Sequence, residues 1–176
     1  MRLFIALGIS REAIDELKKA QAKLVYSKLT LVKEFHLTLK FLGEVEENAV
    51  EGIKEKLSKV KFEGFDACTN GLGVFPSIES IRVIWAGLEP KDKIEVLQNK
   101  IEDSLKGVFA KDDKFHAHIT IARVKFIENK KQFKDSLNNI KLKKIKFRVD
   151  SFKLIKSTLL PVGPVYEVLE EYKARH

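Results

Sequence analysis

Apolar and polar residues alternate along most of the hydrophobic stretches of the chain, which is the pattern of β-strands with one buried face. Turn residues separate several of these stretches, and the pair Asn70-Gly71 predicts a tight hairpin. Many of the connections are too short for parallel crossovers, so the strands are expected to be mainly antiparallel. The predicted strands are 3–9, 29–32, 35–42, 62–68, 71–75, 81–88, 115–126, 145–156 and 164–172.

Apolar residues at a spacing of three or four predict four amphipathic helices between these strands. The first helix begins at Ser10, a preferred N-cap residue, and ends near Leu24; the third begins at Pro90. The composition is therefore that of an α+β protein with mainly antiparallel sheets and helices packed outside. The apolar stripes are Ile14, Leu17, Ala20 and Leu24; Val50, Ile53, Leu57 and Val60; Ile94, Leu97, Ile101, Leu105 and Val108; and Phe133, Leu137 and Ile140.

Two of the predicted strands carry the same polar pattern, apolar–His–apolar–Thr–apolar. His36 and Thr38 form the first copy, and His118 and Thr120 form the second. Side chains two apart share one face of a strand, while the apolar neighbours enter the core behind them. The repeat predicts two related strands that meet at one cleft, with an internal two-fold symmetry.

A histidine that occurs once in a strand is more often structural than catalytic, but this repeated pair changes the interpretation. Burying a His and a Thr on one face, twice, costs free energy unless both find partners, and a bound anion supplies them. Two imidazoles can act as base and acid on opposite sides of one phosphate. Thr38 and Thr120 can donate to its oxygens. Lys40 shares the parity of His36 and Thr38, so it is a candidate phosphate contact, or else a solvated lysine.

Size and charge are compatible with this chemistry without proving it. The 176 residues fit one domain, and the formal net charge of +8 fits either a polyanionic partner or simple solubility. Cys68 is the only cysteine, so no intrachain disulfide can form. No apolar run is long enough for a membrane helix, and no signal-peptide pattern follows the first strand. We therefore expect a cytoplasmic protein.

Both histidine motifs resemble the paired signatures of the two-histidine (2H) phosphoesterases, and most closely those of the RNA 2′,3′-cyclic phosphodiesterases, also called 2′-5′ RNA ligases. The resemblance covers nearly the whole chain. Each motif is weak alone, whereas both in this order and at this spacing are specific. The residues that carry the resemblance are His36–Gly43, His118–Arg123, Arg2–Ala6, Gly73–Pro76 and Arg82–Gly87.

This resemblance implies one bilobal domain over residues 1–176, pseudo-two-fold symmetric around a central cleft. It implies that the protein opens terminal 2′,3′-cyclic phosphates of RNA to 2′-phosphates, without metal or nucleotide cofactor. His36 would protonate the departing 3′ oxygen and His118 would activate water. A 5′-hydroxyl in place of water would give 2′-5′ ligation. The implied partners are RNA ends with a cyclic phosphate, including tRNA fragments, and we expect a monomer.

Other positions and other functions remain open at this point. Simple alternation points Arg123 away from His118, so a role in phosphate binding requires a bulge. His116 shares a face with His118, which makes it a candidate for substrate binding. His116 and His118 could instead be a metal-ligand pair, with Asp112 and Asp113 nearby in sequence. A non-catalytic RNA-binding module that uses Phe41, Phe75 and Trp85 is the other alternative, and His176, at the C-terminus, is expected to be frayed.

Overall fold

Nine strands and four α-helices make up the computed structural model, which describes residues 1–175. The strands are β1 (Arg2–Leu7), β2 (Ser27–Leu31), β3 (Leu37–Glu44), β4 (Phe65–Ser77), β5 (Ser80–Glu89), β6 (His118–Ile127), β7 (Lys146–Val149), β8 (Ser151–Leu160) and β9 (Gly163–Lys173). The α-helices are α1 (Arg11–Ala22), α2 (Val50–Ser58), α3 (Lys91–Ser104) and α4 (Lys130–Asn139), and a 3-10 turn over Glu47–Ala49 precedes α2.

The strands form one sheet in the order β7-β4-β5-β6-β3-β1-β8-β9, and β2 pairs with β6 beside this path. Every pairing of named strands within residues 1–175 is antiparallel. The two histidine-motif strands, β3 and β6, lie at the centre. A two-fold relation that exchanges β3 and β6 also exchanges β1 with β5, β8 with β4 and β9 with β7, so the two halves of the sheet are equivalent apart from β2. The predicted α+β, pseudo-two-fold architecture is therefore confirmed.

The two faces of the sheet have different roles, and β1 shows the division. Leu3, Ile5 and Leu7 belong to the main core, where the helices pack. The alternate residues Phe4 and Ala6 belong instead to a small second cluster on the opposite face. A fully buried Leu or Ile contributes roughly 1.5–3 kcal/mol of hydrophobic free energy. The helix-covered face therefore stabilises the sheet, and the other face is left for a groove.

The central strands follow the same rule. Leu37 and Leu39 of β3, and Ile119 and Ile121 of β6, are at most 1% exposed. The helices complete this core with Leu17, Ile53, Ile94 and Phe133, one from each helix in chain order. The N-cap prediction is also confirmed, because the Ser10 hydroxyl accepts a hydrogen bond from the backbone N–H of Ala13 at 3.2 Å.

Three predictions of local structure are wrong. Asn70-Gly71 is not a hairpin turn, because β4 runs through it; the register with β5 shifts there, and Gly71 has φ +68°. Residues 145–156 do not form one strand, because the chain breaks between β7 and β8 at Asp150. Val108 lies beyond the end of α3 and is exposed, so it is not part of the buried stripe. His176 lies outside the described residues. Within residues 1–175, no helix combines the length and the hydrophobicity of a membrane-spanning segment.

Candidate active site

His36 directly precedes β3 and packs against aromatic rings of the groove face. Its ring centroid lies 4.9 Å from that of Phe4 and 5.2 Å from that of Tyr166, which meets it edge-on. Burial is the main reason why the pKa of His36 falls to about 4, since desolvation disfavours the imidazolium. A backbone hydrogen bond to Glu34 acts in the opposite direction. In the free protein His36 is therefore neutral at neutral pH.

His118 is the first residue of β6 and lies against the other half of the groove. Its ring centroid is 5.0 Å from that of Phe75, at a nearly perpendicular angle. Its Nδ1 lies 2.7 Å from the carbonyl oxygen of His116. A carbonyl can only accept, so Nδ1 carries the proton and Nε2 keeps a lone pair. Burial lowers the pKa of His118 as well. The neutral form, which can act as a base, is thus favoured.

The two histidines converge because their strands meet at one registered position. Leu37 of β3 lies opposite Ile119 of β6 in antiparallel register. If this register is continued by one residue on either side, Thr38 lies opposite His118 and His36 lies opposite Thr120, on one face of the sheet. The imidazoles also lie within electrostatic range of each other, since the charge of His118 further lowers the pKa of His36. The structure thus brings together all four residues of the two motifs.

Lys40 does not face the groove, so its prediction as a phosphate contact is wrong. The register of β3 with β1 pairs Thr38 with Ala6 and Lys40 with Ile5, which leaves Leu39 as an extra residue. This β-bulge shifts the alternation, so Lys40 turns onto the buried face. Its side chain is 1% exposed. The alternative, a solvated lysine, is wrong for the same reason.

The equivalent bulge in β6 has the opposite effect on Arg123. The register with β5 pairs Thr120 with Trp85 and Ala122 with Ile84, so Ile121 is the extra residue. Ala122 is consequently buried, whereas Arg123 is exposed. The charge of Arg123 lowers the pKa of both His118 and Tyr166, which places its guanidinium near the groove. The bulge that an Arg123 phosphate contact requires is therefore present.

His116 lies beside His118 on an aromatic wall. Its ring centroid is 4.7 Å from that of Trp85 and 5.3 Å from that of Phe75. The side chain is exposed, and its ring centroid is 6.1 Å from that of His118. Trp85 in turn lies directly over Gly73, where a Cβ atom would clash with the indole. The second half of the groove thus presents Phe75, Trp85 and His116 as one aromatic wall next to His118.

Sequence reasoning missed Phe4 and Tyr166, which pack against His36. Tyr166 lies on β9, far from either motif in sequence, and reaches the groove because β9 pairs with β8 and β8 with β1. Burial raises the pKa of its hydroxyl, so it stays protonated and able to donate. An alternating Val165-Tyr166-Glu167 pattern gave no signal that this tyrosine flanks a histidine. Only the strand order reveals it.

Other parts of the described surface lack comparable chemistry. Within residues 1–175, no three His, Cys, Asp or Glu side chains are grouped as ligands for a metal ion. Two surface cavities, of about 520 and 380 Å³, lie between α2 and β9 and beside the start of α3. Both are lined by lysines and carboxylates of mixed sign, and neither contains a histidine. The paired imidazoles in the groove remain the strongest candidate site.

Known proteins provide an independent comparison. A family model of the 2′-5′ RNA ligase superfamily matches residues 8–159. Two curated relatives, both named RNA 2′,3′-cyclic phosphodiesterase, come from Methanocaldococcus jannaschii and Thermotoga maritima. The first is 37% identical over 98% of this chain and 100% of its own length, and the second 38% identical over 97% and 94%.

Solved structures agree with the fold. A crystal structure of a Thermus thermophilus protein superposes with a TM-score of 0.77, at 27% identity and over the full length of both chains. The apo form of Escherichia coli LigT has a TM-score of 0.78 at 21% identity, over 99% of this chain and 98% of that one. The strand order, the repeated motif and the family match lead to one conclusion: this chain belongs to the 2′-5′ RNA ligase superfamily.

Proposed function

We propose that this protein is an RNA 2′,3′-cyclic phosphodiesterase that opens terminal cyclic phosphates to 2′-phosphates by two-histidine acid–base catalysis. The observation that carries the proposal is the convergence of His36 and His118 at the β3–β6 junction, where Leu37 pairs with Ile119 and the charge of His118 lowers the pKa of His36. The relatives from Methanocaldococcus jannaschii and Thermotoga maritima are named RNA 2′,3′-cyclic phosphodiesterase, which supports the cyclic phosphate of RNA as the substrate.

His118 is the general base in this proposal. Its Nδ1–H donates a hydrogen bond to the carbonyl of His116, so the lone pair of Nε2 can accept a proton from water. The lowered pKa keeps the ring neutral at neutral pH. As the water oxygen bonds to phosphorus, its proton passes to Nε2 of His118. The aromatic wall beside the ring limits its movement.

His36 is the general acid, and it must be protonated to act. In the free protein its pKa of about 4 leaves it neutral at neutral pH. A bound phosphodiester carries a negative charge, and an opposite charge within about 4–6 Å favours the imidazolium. Substrate binding therefore raises the pKa of His36, so that the ring takes up the proton that it later donates. As the bond from phosphorus to the 3′ oxygen breaks, this proton passes to that oxygen and leaves a 3′-hydroxyl and a 2′-phosphate.

Charge on the phosphate oxygens is stabilised by donors from both halves of the groove. Thr38 and Thr120 lie on the same face as the histidines and are half-buried, which suits hydroxyl donation to the non-bridging oxygens. Arg123 adds a positive charge near His118. His116 and Trp85 form the part of the wall that a ribose or base of the terminal nucleotide can contact.

Neither metal nor nucleotide cofactor is required by the proposed steps, because the two imidazoles supply the base and the acid. A 5′-hydroxyl of a second RNA end can occupy the position of the attacking water and give a 2′-5′ linkage. His118 would remove its proton as it does from water. Ligation is thus the same displacement with a different nucleophile, and we propose it as a secondary activity of this site.

The test uses an oligonucleotide that ends in a 2′,3′-cyclic phosphate, incubated with the protein in the presence of EDTA. We expect a 2′-phosphate as the sole phosphomonoester. His36→Ala and His118→Ala should each lose turnover while they retain RNA binding. Loss of activity in EDTA with recovery on zinc or manganese would favour a metal-dependent phosphohydrolase. RNA binding without any turnover by the unmodified protein would favour a non-catalytic RNA-binding module.

A further inference from the structure

Lys40 is the centre of a buried polar cluster on the helix-covered side of β3. Its Nζ donates to Glu102 at 3.0 Å and to the backbone carbonyl of Ala110 at 2.8 Å, and lies 3.5 Å from a carboxylate oxygen of Asp112. The side chains of Lys40 and Glu102 are 1% and 2% exposed. Glu102, on α3, also accepts from the Gln98 side chain at 3.0 Å and faces the backbone N–H of Asp112 at 3.4 Å.

These bonds hold the segment that leads into the second histidine motif, here called the approach segment (residues 110–116). None of its residues makes a backbone–backbone hydrogen bond to any residue that the structure describes. The Lys40–Glu102 pair binds it at Ala110 and at Asp112, near its start. At its far end, Phe115 and Ala117 pack against the core. The polar ties of its first half therefore come from Lys40 of the first motif strand and Glu102 of α3.

In the other half of the sheet, the segment that leads into the motif strand is held by different contacts. The segment before the first motif is held by backbone pairing of β2 with β6 and by the bond from Val32 N–H to the Ile121 carbonyl at 3.0 Å. The side chain of Gln21, on α1, adds bonds to Val32 and Ile121 at 2.8 and 2.7 Å. The segment before the second motif lacks such a strand, and the Lys40–Glu102 pair occupies the corresponding place.

We propose that Lys40 and Glu102 are positioning residues for the base of the reaction. They anchor the approach segment so that the carbonyl of His116 stays aligned with Nδ1 of His118, and so keep the Nε2 lone pair directed into the groove. The catalytic part of this inference rests on the function proposed above. Displacement of a reacting group by about 1 Å can cost roughly 100-fold in rate.

Stability alone is a poor explanation of this pair. Desolvation of two buried charges offsets much of their attraction, and apolar residues of similar volume often replace such pairs without loss of stability. Removal of one partner, by contrast, leaves an uncompensated buried charge and can unfold the protein. The double variant Lys40→Met/Glu102→Met is therefore the informative change, because it removes the anchor while it preserves an apolar core.

The experiment compares this double variant with Thr69→Val on β4, two strands away from β6 in the sheet, which removes side-chain bonds to the backbone of Lys143 and Ile145. Ring-nitrogen NMR measures the tautomers of His36 and His118, and steady-state kinetics on the cyclic-phosphate oligonucleotide give kcat and KM. In the double variant we expect His118 to lose its pure Nδ1–H tautomer while His36 is unchanged. We also expect kcat to fall about 10–100-fold, with KM changed less than about 3-fold.

Two results would contradict the positioning role of Lys40 and Glu102. An unchanged His118 tautomer together with a kcat equal to that of Thr69→Val would overturn the positioning role. A shift of both histidines, in both variants alike, would mean general loosening of the fold and would overturn it as well. The tautomer measurement does not depend on turnover, so it still tests the anchor if the unmodified protein proves inactive and the proposed function fails.

Discussion

His36 shows at the scale of one residue how burial and charge set the chemistry of the groove. Phe4 and Tyr166 exclude water from its ring, and the pKa falls to about 4. We predict that an NMR titration of the free protein finds His36 neutral above about pH 4. Saturation with inorganic phosphate should raise this pKa, because the anion stabilises the imidazolium. A value near 6.5 in the free protein, or no change with phosphate, would contradict the prediction.

The protonation states of His36 and His118 together predict the pH dependence of the reaction. As pH falls, His118 becomes protonated and loses its function as a base. As pH rises, His36 loses the proton that it must donate. The profiles of kcat and kcat/KM should both be bell-shaped. The alkaline limb of kcat should lie at higher pH than that of kcat/KM, because bound substrate raises the pKa of His36. A flat profile through neutral pH would argue against paired acid–base catalysis.

Substitution of Thr38 and Thr120 tests whether their hydroxyls stabilise the charge that develops on the phosphate oxygens. Thr→Val keeps the shape of each side chain but removes the donor, so we predict that kcat falls roughly 10²–10³-fold. Thr→Ser at the same positions restores the donor and is the matched control. Steady-state kinetics on the cyclic-phosphate oligonucleotide provide the measurement. An unchanged kcat for both Val variants would assign the threonines to structure alone.

Among the elements, β4 and β5 carry Phe75 and Trp85 of the aromatic wall, and Gly73 of β4 leaves room for the indole of Trp85. Gly73→Ala would force the indole to move, because the new Cβ atom clashes with it. Trp85 is the only tryptophan, so its fluorescence reports the displacement directly. We predict a changed emission maximum and weaker binding of the terminal nucleotide.

Gly52, within α2, is the control for that substitution. Apart from its chain neighbours and the backbone of its own helix, no atom lies within 4 Å of the position that its Cβ would occupy. Gly52→Ala, in the first turn of α2, should therefore raise stability by no more than about 1 kcal/mol, the difference between Gly and Ala in a helix interior, and leave the fluorescence unchanged. If Gly73→Ala gives the same emission and the same KM as the unmodified protein, Trp85 does not form part of the substrate wall.

For the whole molecule, the formal net charge of +8 becomes informative once RNA is the proposed substrate. Each phosphate contacted by Lys or Arg contributes a slope of about −0.7 in a plot of log affinity against log salt for single strands. We predict that salt raises KM more steeply for a cyclic-phosphate oligonucleotide than for a single 2′,3′-cyclic nucleotide. Equal slopes for both substrates would indicate that the surface charge serves solubility and that only the terminal phosphate is bound.

Much of the fold was predictable because its determinants are local. Alternating apolar residues, helical stripes and the Ser10 cap define most elements to within a few residues. The pairing of the two histidine motifs was also predictable, since a strand must place His and Thr on one face. The Asn70-Gly71 prediction failed because the long pairing of β4 with β5 outweighs a two-residue turn preference, and the chain accommodates Gly71 as an irregularity within the strand.

By itself, the sequence determined which residue types could carry the chemistry, their order, and the face that each motif presents. Only the tertiary structure decided the directions of Lys40 and Arg123, because a single extra residue in each central strand reverses the alternation beyond it. Strand order likewise decided that Tyr166 flanks His36. Such effects arise from contacts between residues distant in sequence, so no local pattern of side chains could reveal them.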